Sequence, residues 1–228
     1  MRYTCRMYQR ARSAEAKQRR AEDLLDAARA IAADHGGVRH VTLAGVTEVA
    51  SLHPSAVRRY FASKEELLLE LAERGWNQWR DVLVDLLRGA PERTPAQIAS
   101  TMSSSLASLP LFCDLLTHVP LSLEGDVDID RARKYKRNSF AAYDAIVEAI
   151  TANSRLTTSQ AEALITAALA MAAHLWQISH PTETLAALYA QEPRWAHAAL
   201  DFEPRLSRLL QATAAGLMKE PERAIDAV

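Results

Sequence analysis

The 228-residue chain is 49 % hydrophobic and 24 % charged, the balance of a globular protein with a packed core rather than of a disordered or fibrous one. Its net charge of −1 hides an asymmetry, because residues 1–64 hold twelve Lys/Arg against six Asp/Glu while the remainder is mildly acidic. A basic N-terminal segment on such a body points to a polyanion at that end.

Glycine is rare, strand-like alternation is absent, and Ala, Leu, Arg and Glu dominate, so an all-helical fold is expected. A first helix is expected from about Lys17 to Ala33, where Leu24, Leu25, Ala28, Ile31 and Ala32 recur at helical spacing and Gly36-Gly37 supplies a stop. Thr42 is the N-cap expected for a short second helix ending near Ala50, and a third short helix is expected from Pro54 to Phe61. Ser63 and Glu66 read as a capping box. They open a long fourth helix with Leu68, Leu71, Gly75, Trp79, Val82 and Leu86 along one face.

Pro91 and Pro95 mark a loop, followed by helices expected at 96–109 and 111–121. A long helix is expected at 129–152. Thr157 and Gln160 form a second capping box before a helix to about Ile178. Pro181 and Pro193 punctuate a less regular stretch, and Pro204 sits in the first turn of a last helix reaching Met218. The unit boundary is expected at 66/67.

Residues 42–61, TLAGVTEVASLHPSAVRRYF, place two short helices around a tight turn, which is a helix-turn-helix arrangement. Val46, Val49, Val57 and Phe61 fall at its apolar contact positions, Gly45 and Ala50 allow close approach, and Leu52 belongs in the turn. If the second helix enters a major groove, His53, Ser55, Ala56 and Arg59 face the bases. Arg58, Tyr60 and Lys64 then lie nearer the backbone, and Thr42 offers hydroxyl and amide to a phosphate. A further helical hairpin with solvated arginines is the alternative reading of the same pattern.

The order of these helices, followed by Tyr60-Phe61-Ala62-Ser63-Lys64-Glu65-Glu66-Leu67, resembles the DNA-binding domain of the TetR family over roughly residues 18–72. Three residues depart from the family pattern: Ser51 and His53 replace the usual Gly and Ser of the turn, and Arg58 replaces a Tyr. The resemblance implies a homodimeric regulator, usually a repressor, that reads a pseudopalindromic duplex and is switched by a small-molecule effector bound in its C-terminal domain. It also implies that the helices at about 157–178 and 203–218 pair in the dimer. The Ala-rich, almost all-round apolar character of the first agrees with that, as does the stripe Leu206, Leu209, Leu210 and Leu217 on the second; an intrachain core alone is the other reading.

Candidate pocket residues are Trp76, Trp79, Phe112, His118, Phe140, Tyr143, Met171, His174 and Trp176, with Cys113 beside them. Such walls suit an apolar or amphipathic ligand, although aromatics at helical spacing also simply pack. Arg131, Arg133, Lys134, Lys136 and Arg137 open the long helix and read either as a solvated face or as a receptor for a carboxylate, phosphate or CoA-type tail.

Cys5 and Cys113 support neither a disulfide framework nor a zinc site. Asp126, Asp128 and Asp130 alternate like a calcium loop, yet Arg131 stands where Gly is required and Arg137 where Glu is required; they favour the helix start instead. No catalytic motif, cofactor fingerprint or metal-ligand spacing is present. No apolar run approaches the roughly 20 residues of a membrane span, so a cytoplasmic, non-enzymatic protein without membrane contact is expected. The competing function is a helical ligand-binding or scaffold protein that has lost DNA reading.

Overall fold

The computed structural model describes residues 2–89, 92–198 and 201–219, without the side chains of 2–14, 54 and 196–198. Pro91 and the side chains of Cys5, Arg2, Arg6, Arg10 and Arg12 lie outside the described residues. Among the described residues there are nine α-helices and no strand.

The first helix, α1 (Arg2–His35), begins fifteen residues before the expected Lys17. Its early part, rich in Arg and Ala, has helix propensity without apolar periodicity, so a reading based on periodicity misses it. It stops at the double glycine as expected: Gly36 and Gly37 have φ of +75° and +130°, and the Gly37 N–H reaches back to the Ala32 carbonyl at 2.8 Å, a Schellman closure. A single 3₁₀ turn, Val38–His40, leads to α2 (Leu43–Val49), capped by Thr42.

The expected third helix is a six-residue 3₁₀ segment, Pro54–Arg59. The turn before it holds Ser51 at φ +53°, in left-handed backbone. Val46, Val57 and Phe61 are buried between these elements, but Val49 is 55 % exposed and Thr47 takes the inner position. Leu52 is half-buried.

Helix α3 (Lys64–Leu87) is the spine. The Ser63 hydroxyl accepts the Glu66 N–H, while the Glu66 carboxylate accepts from Ala62 rather than from Ser63, so the box closes one residue early. The inner stripe runs Gly75, Trp79, Leu83, Leu87, stepping by four, and leaves Leu86 exposed. Gly75 is required by close approach, because a Cβ there would lie 2.3 Å from the Phe112 ring.

Helices α4 (Pro95–Ala107) and α5 (Pro110–His118) follow, bent by 91° with the π-turn Val119–Leu123 continuing α5. Then come α6 (Ile129–Ala152), capped by Asp128, and α7 (Thr158–Ser179), whose Thr157/Gln160 box is complete. The irregular stretch expected after Pro181 contains a further helix, α8 (Glu183–Gln191); α9 (Phe202–Leu217) closes the fold. The main packings are α4 on α9, α3 on α6, and α7 between α5 and α9.

Trp79 is fully buried and donates its indole N–H to Ser105 at 2.9 Å, which satisfies the only polar atom on a large apolar side chain. One expectation about the bilayer needs correction. Helix α7 is long and apolar enough, by length and composition, to cross a membrane, with one third of its most apolar window buried; its alanines gave no visible run of large apolar residues.

Candidate nucleic-acid interface and effector cavity

The N-terminal site is built by two caps and a turn. The Thr42 hydroxyl accepts the Gly45 N–H at 3.0 Å, which fixes the start of α2 and occupies one lone pair of that oxygen. His53 caps the 3₁₀ segment: its Nδ1 accepts the Ser55 N–H at 3.3 Å and lies 2.8 Å from the Ser55 hydroxyl. The ring is thus held by its own turn, leaving Nε2 as the atom it can present outward.

In a 3₁₀ helix side chains three apart eclipse, so Ser55 aligns with Arg58 and Ala56 with Arg59. Val57 faces the core, Ala56 and Tyr60 are half-buried, and His53, Ser55, Arg58 and Arg59 are exposed. Neither Arg58 nor Arg59 has a hydrogen bond or ion pair among the described residues, unlike most of the other described arginines. Lys64 differs. It is half-buried and its ammonium donates to the Arg39 carbonyl at 3.3 Å, tying the start of α3 to the link after α1 and leaving two of its three donors uncommitted.

The second site is an open cavity of about 380 Å³ lined by α3, α5, the π-turn, α6 and α7. Trp76, Phe140 and Tyr143 line it as the sequence suggests. The sequence reading missed Leu116, Val119, Tyr135, Ser139, Thr166 and Leu169. Tyr135, Ser139 and Tyr143 follow one another at four-residue steps, a helical stripe that periodicity could have revealed. The Tyr135 hydroxyl accepts the Trp76 indole N–H at 3.1 Å, so its own proton remains to be donated, and burial pushes its phenol well above the ordinary range. Lys136 and Glu124 pair at 2.7 Å on the rim, and Phe140, 58 % exposed, stands at the mouth.

The remaining pocket candidates lie elsewhere. Trp79 and Phe112 are core, and Met171 is half-buried on α7. His174 is exposed. Trp176 stacks on His180 at 3.8 Å and lines a separate cavity of about 480 Å³ between α1, α5 and α7. His118 lies 4.0 Å from Asp114, and burial lowers its pKa, with Lys64 and Arg39 adding to the effect. Cys113 donates to the Leu106 carbonyl at 3.2 Å, and burial pushes its thiol up to about 12, an unreactive setting.

The basic block on α6 is neither a uniformly solvated face nor a free anion receptor. Arg131 is buried between Glu73 at 3.0 Å and Glu70 at 3.3 Å, Lys134 reaches Glu70 at 3.5 Å, and Arg133 pairs with Asp130. Glu70 also meets Arg74, which pairs with Glu22 on α1. A chain of opposite charges therefore joins α1, α3 and α6.

A family model described as the tetracyclin repressor-like C-terminal domain matches residues 73–221. Two solved structures share the fold. The first is the Thermus thermophilus TetR-family repressor FadR in complex with lauroyl-CoA, at 18 % identity and TM-score 0.55, covering 91 % of this chain and 98 % of that one. The second, described as a possible TetR family transcriptional regulator from Streptomyces coelicolor A3(2), has 16 % identity and TM-score 0.52, covering 89 % and 98 %. No curated protein matches the sequence. With the helix-turn-helix in front and the matched helical domain behind it, the chain belongs to the TetR family of ligand-responsive, DNA-binding transcriptional regulators.

Proposed function

We propose that this regulator is a cytoplasmic homodimeric repressor whose 1–66 head holds a pseudopalindromic operator, and whose 67–228 body releases it when an apolar or amphipathic molecule fills the α3/α5/α6/α7 cavity. The observation that carries the DNA-reading part is the pair Arg58 and Arg59, exposed and without a partner among the described residues on the outer ridges of the 3₁₀ segment. Arginine forks offered freely from a helix-turn-helix match guanine edges and phosphates. Thr42, His53, Ser55, Ala56, Tyr60 and Lys64 complete the proposed contact set around them.

Dimerisation is supported by what α7 and α9 leave outside. Ala170 and His174 are exposed on α7, with Ala163 and Ala167 half-buried beside them, and Leu209, Ala212 and Gly216 form the outward stripe of α9. Small residues at these spacings suit a close four-helix contact. The effector class is supported by the cavity's aromatic walls with two buried hydroxyl-bearing residues, Tyr135 and Ser139; the likeness to a lauroyl-CoA complex makes that ligand the first probe.

The test is selection of a binding duplex from a random pool with the full-length protein, followed by footprinting and titration with lauroyl-CoA. The expected footprint is symmetric, with half-sites separated by about 34–36 Å or a multiple. A protein that retains no duplex from the pool over background overturns the DNA-reading part.

A further inference from the structure

The link between α1 and α2 is shaped to receive a carboxylate from the body. Asp114 on α5, 7 % exposed, accepts the Val38 backbone N–H on Oδ2 at 2.7 Å and the Gln177 side-chain amide of α7 on Oδ1 at 2.9 Å. The link fits it closely: a Cβ on Gly37 would stand 3.0 Å from Asp114 Oδ2, and Gly37 has a φ of +130° that other residues rarely adopt. Val38 itself is fully buried. The contact is therefore between an acid isolated in the apolar run PLFCDLL and a backbone amide of the link that precedes the helix-turn-helix.

The same two helices wall the cavity. Leu116 of α5 and Val119 of the adjoining π-turn line it, as do Thr166 and Leu169 of α7. Asp114 and Leu116 are two residues apart, so α5 carries the cavity wall on one side and the carboxylate on another. Thr117 additionally bonds the Ala173 carbonyl of α7 at 2.9 Å, so α5 and α7 form one braced pair.

We propose that Asp114, held by Gln177, is a positioning residue for DNA binding: it latches the head through the Val38 amide, and filling of the cavity moves α5 and loosens this latch. The proposal rests on reading the cavity as the effector site. An unlatched head samples more orientations, and only the fraction with correct spacing binds DNA, which lowers the apparent affinity.

The test uses the full-length protein and the duplex selected from the random pool, with Ser139→Phe as a built-in occupant of the cavity that requires no ligand. Ser139 lies on α6, lines the cavity and does not touch the latch. Ser139→Phe is expected to weaken duplex binding by about tenfold, a usual size for coupling between sites, and to speed deuterium exchange in peptides covering residues 37–41. Asp114→Asn, which turns one acceptor into a donor, should by itself weaken binding and speed that exchange by similar factors. Ser139→Phe added to Asp114→Asn should then change binding less than about twofold, because the coupled step is already spent.

Gln177→Met is a milder cut in case Asp114→Asn fails to fold, and should act in the same direction. Thr117→Val breaks only the α5–α7 brace, and duplex binding should stay near that of the unaltered protein. If the Ser139→Phe effect persists at full size in a folded Asp114→Asn or Gln177→Met background, the latch is refuted while the cavity stands. If Ser139→Phe changes nothing in the unaltered protein, the cavity is not the sensor and the relay falls with it.

Discussion

The substitution Arg131→Met tests the charge chain that joins α6 to α3. Arg131 is 8 % exposed and bonds Glu73 at 3.0 Å and Glu70 at 3.3 Å. Breaking a buried pair by removing one partner costs about 3–5 kcal/mol when the survivor is left alone. Here the survivors keep company: Glu73 retains Asn138 at 2.5 Å and Lys134 at 3.8 Å, and Glu70 retains Arg74 at 3.4 Å. The expected loss is accordingly about 2–3 kcal/mol, which for a domain of this size lowers Tm by about 5–10 °C. Adding Glu73→Leu removes the more buried of the two carboxylates as well and should restore most of the loss, since apolar replacement of both partners is often close to neutral. Thermal and urea unfolding at one fixed protein concentration reads both effects. An Arg131→Met variant within about 0.5 kcal/mol of the parent would refute the assignment of a buried pair, and a double variant worse than the single one would refute the role of desolvation.

Arg59→Ala should relax sequence preference on the selected duplex at a cost of about 1–3 kcal/mol, whereas Lys64→Ala should weaken specific and scrambled duplexes alike and reduce the salt slope by about one; equal losses on both duplexes for Arg59→Ala would move base reading to the Ser55/Arg58 ridge. Ser51→Gly should stabilise the protein by about 0.5–1 kcal/mol, because its φ of +53° is strained for any side chain; Ser51→Ala gaining as much in urea unfolding would contradict that. Leu209→Glu, on the outward stripe of α9, should give a monomer by light scattering with helicity intact, and an unchanged dimer would place the interface elsewhere. The Arg74 guanidinium hydrogen-bonds Glu22 and holds its carboxyl below the ordinary 4.5. A depressed folded pKa stabilises above the unfolded value and is lost as pH falls through the folded one, so the α1–α3 tie should weaken below about pH 4.5; Arg74→Met should flatten that acid limb of the urea midpoint, and an unaltered limb would count against the tie.

Elements that signal through local chemistry were legible in the sequence, and those that depend on tertiary company were not. Thr42, Ser63, Asp128 and Thr157 each cap a helix in the structure, because a hydroxyl or carboxylate before a helix needs only its next few amides. The start of α1 and all of α8 were missed for one shared reason. Residues 2–16 lack apolar periodicity, and α8 buries none of its residues, so neither carries the core-facing stripe on which pattern reading depends. The 3₁₀ form of the reading segment was equally hidden, since Pro54 fixes where it begins without saying how tightly it winds.

The cavity shows the same division from the other side. Trp76, Trp79 and Phe112 are alike in sequence as large side chains at helical spacing, and only packing separates them: Gly75 lets Phe112 press onto α3, while Ser105 takes the Trp79 indole. That leaves Trp76, bonded to the Tyr135 hydroxyl, as the member of the trio that faces open volume. Which aromatic becomes wall and which becomes core is decided by one glycine on α3 and one serine on α4. A functional residue in a helical sensor is therefore identified by what its neighbours leave empty, and the small residues beside an aromatic carry more of that information than the aromatic itself.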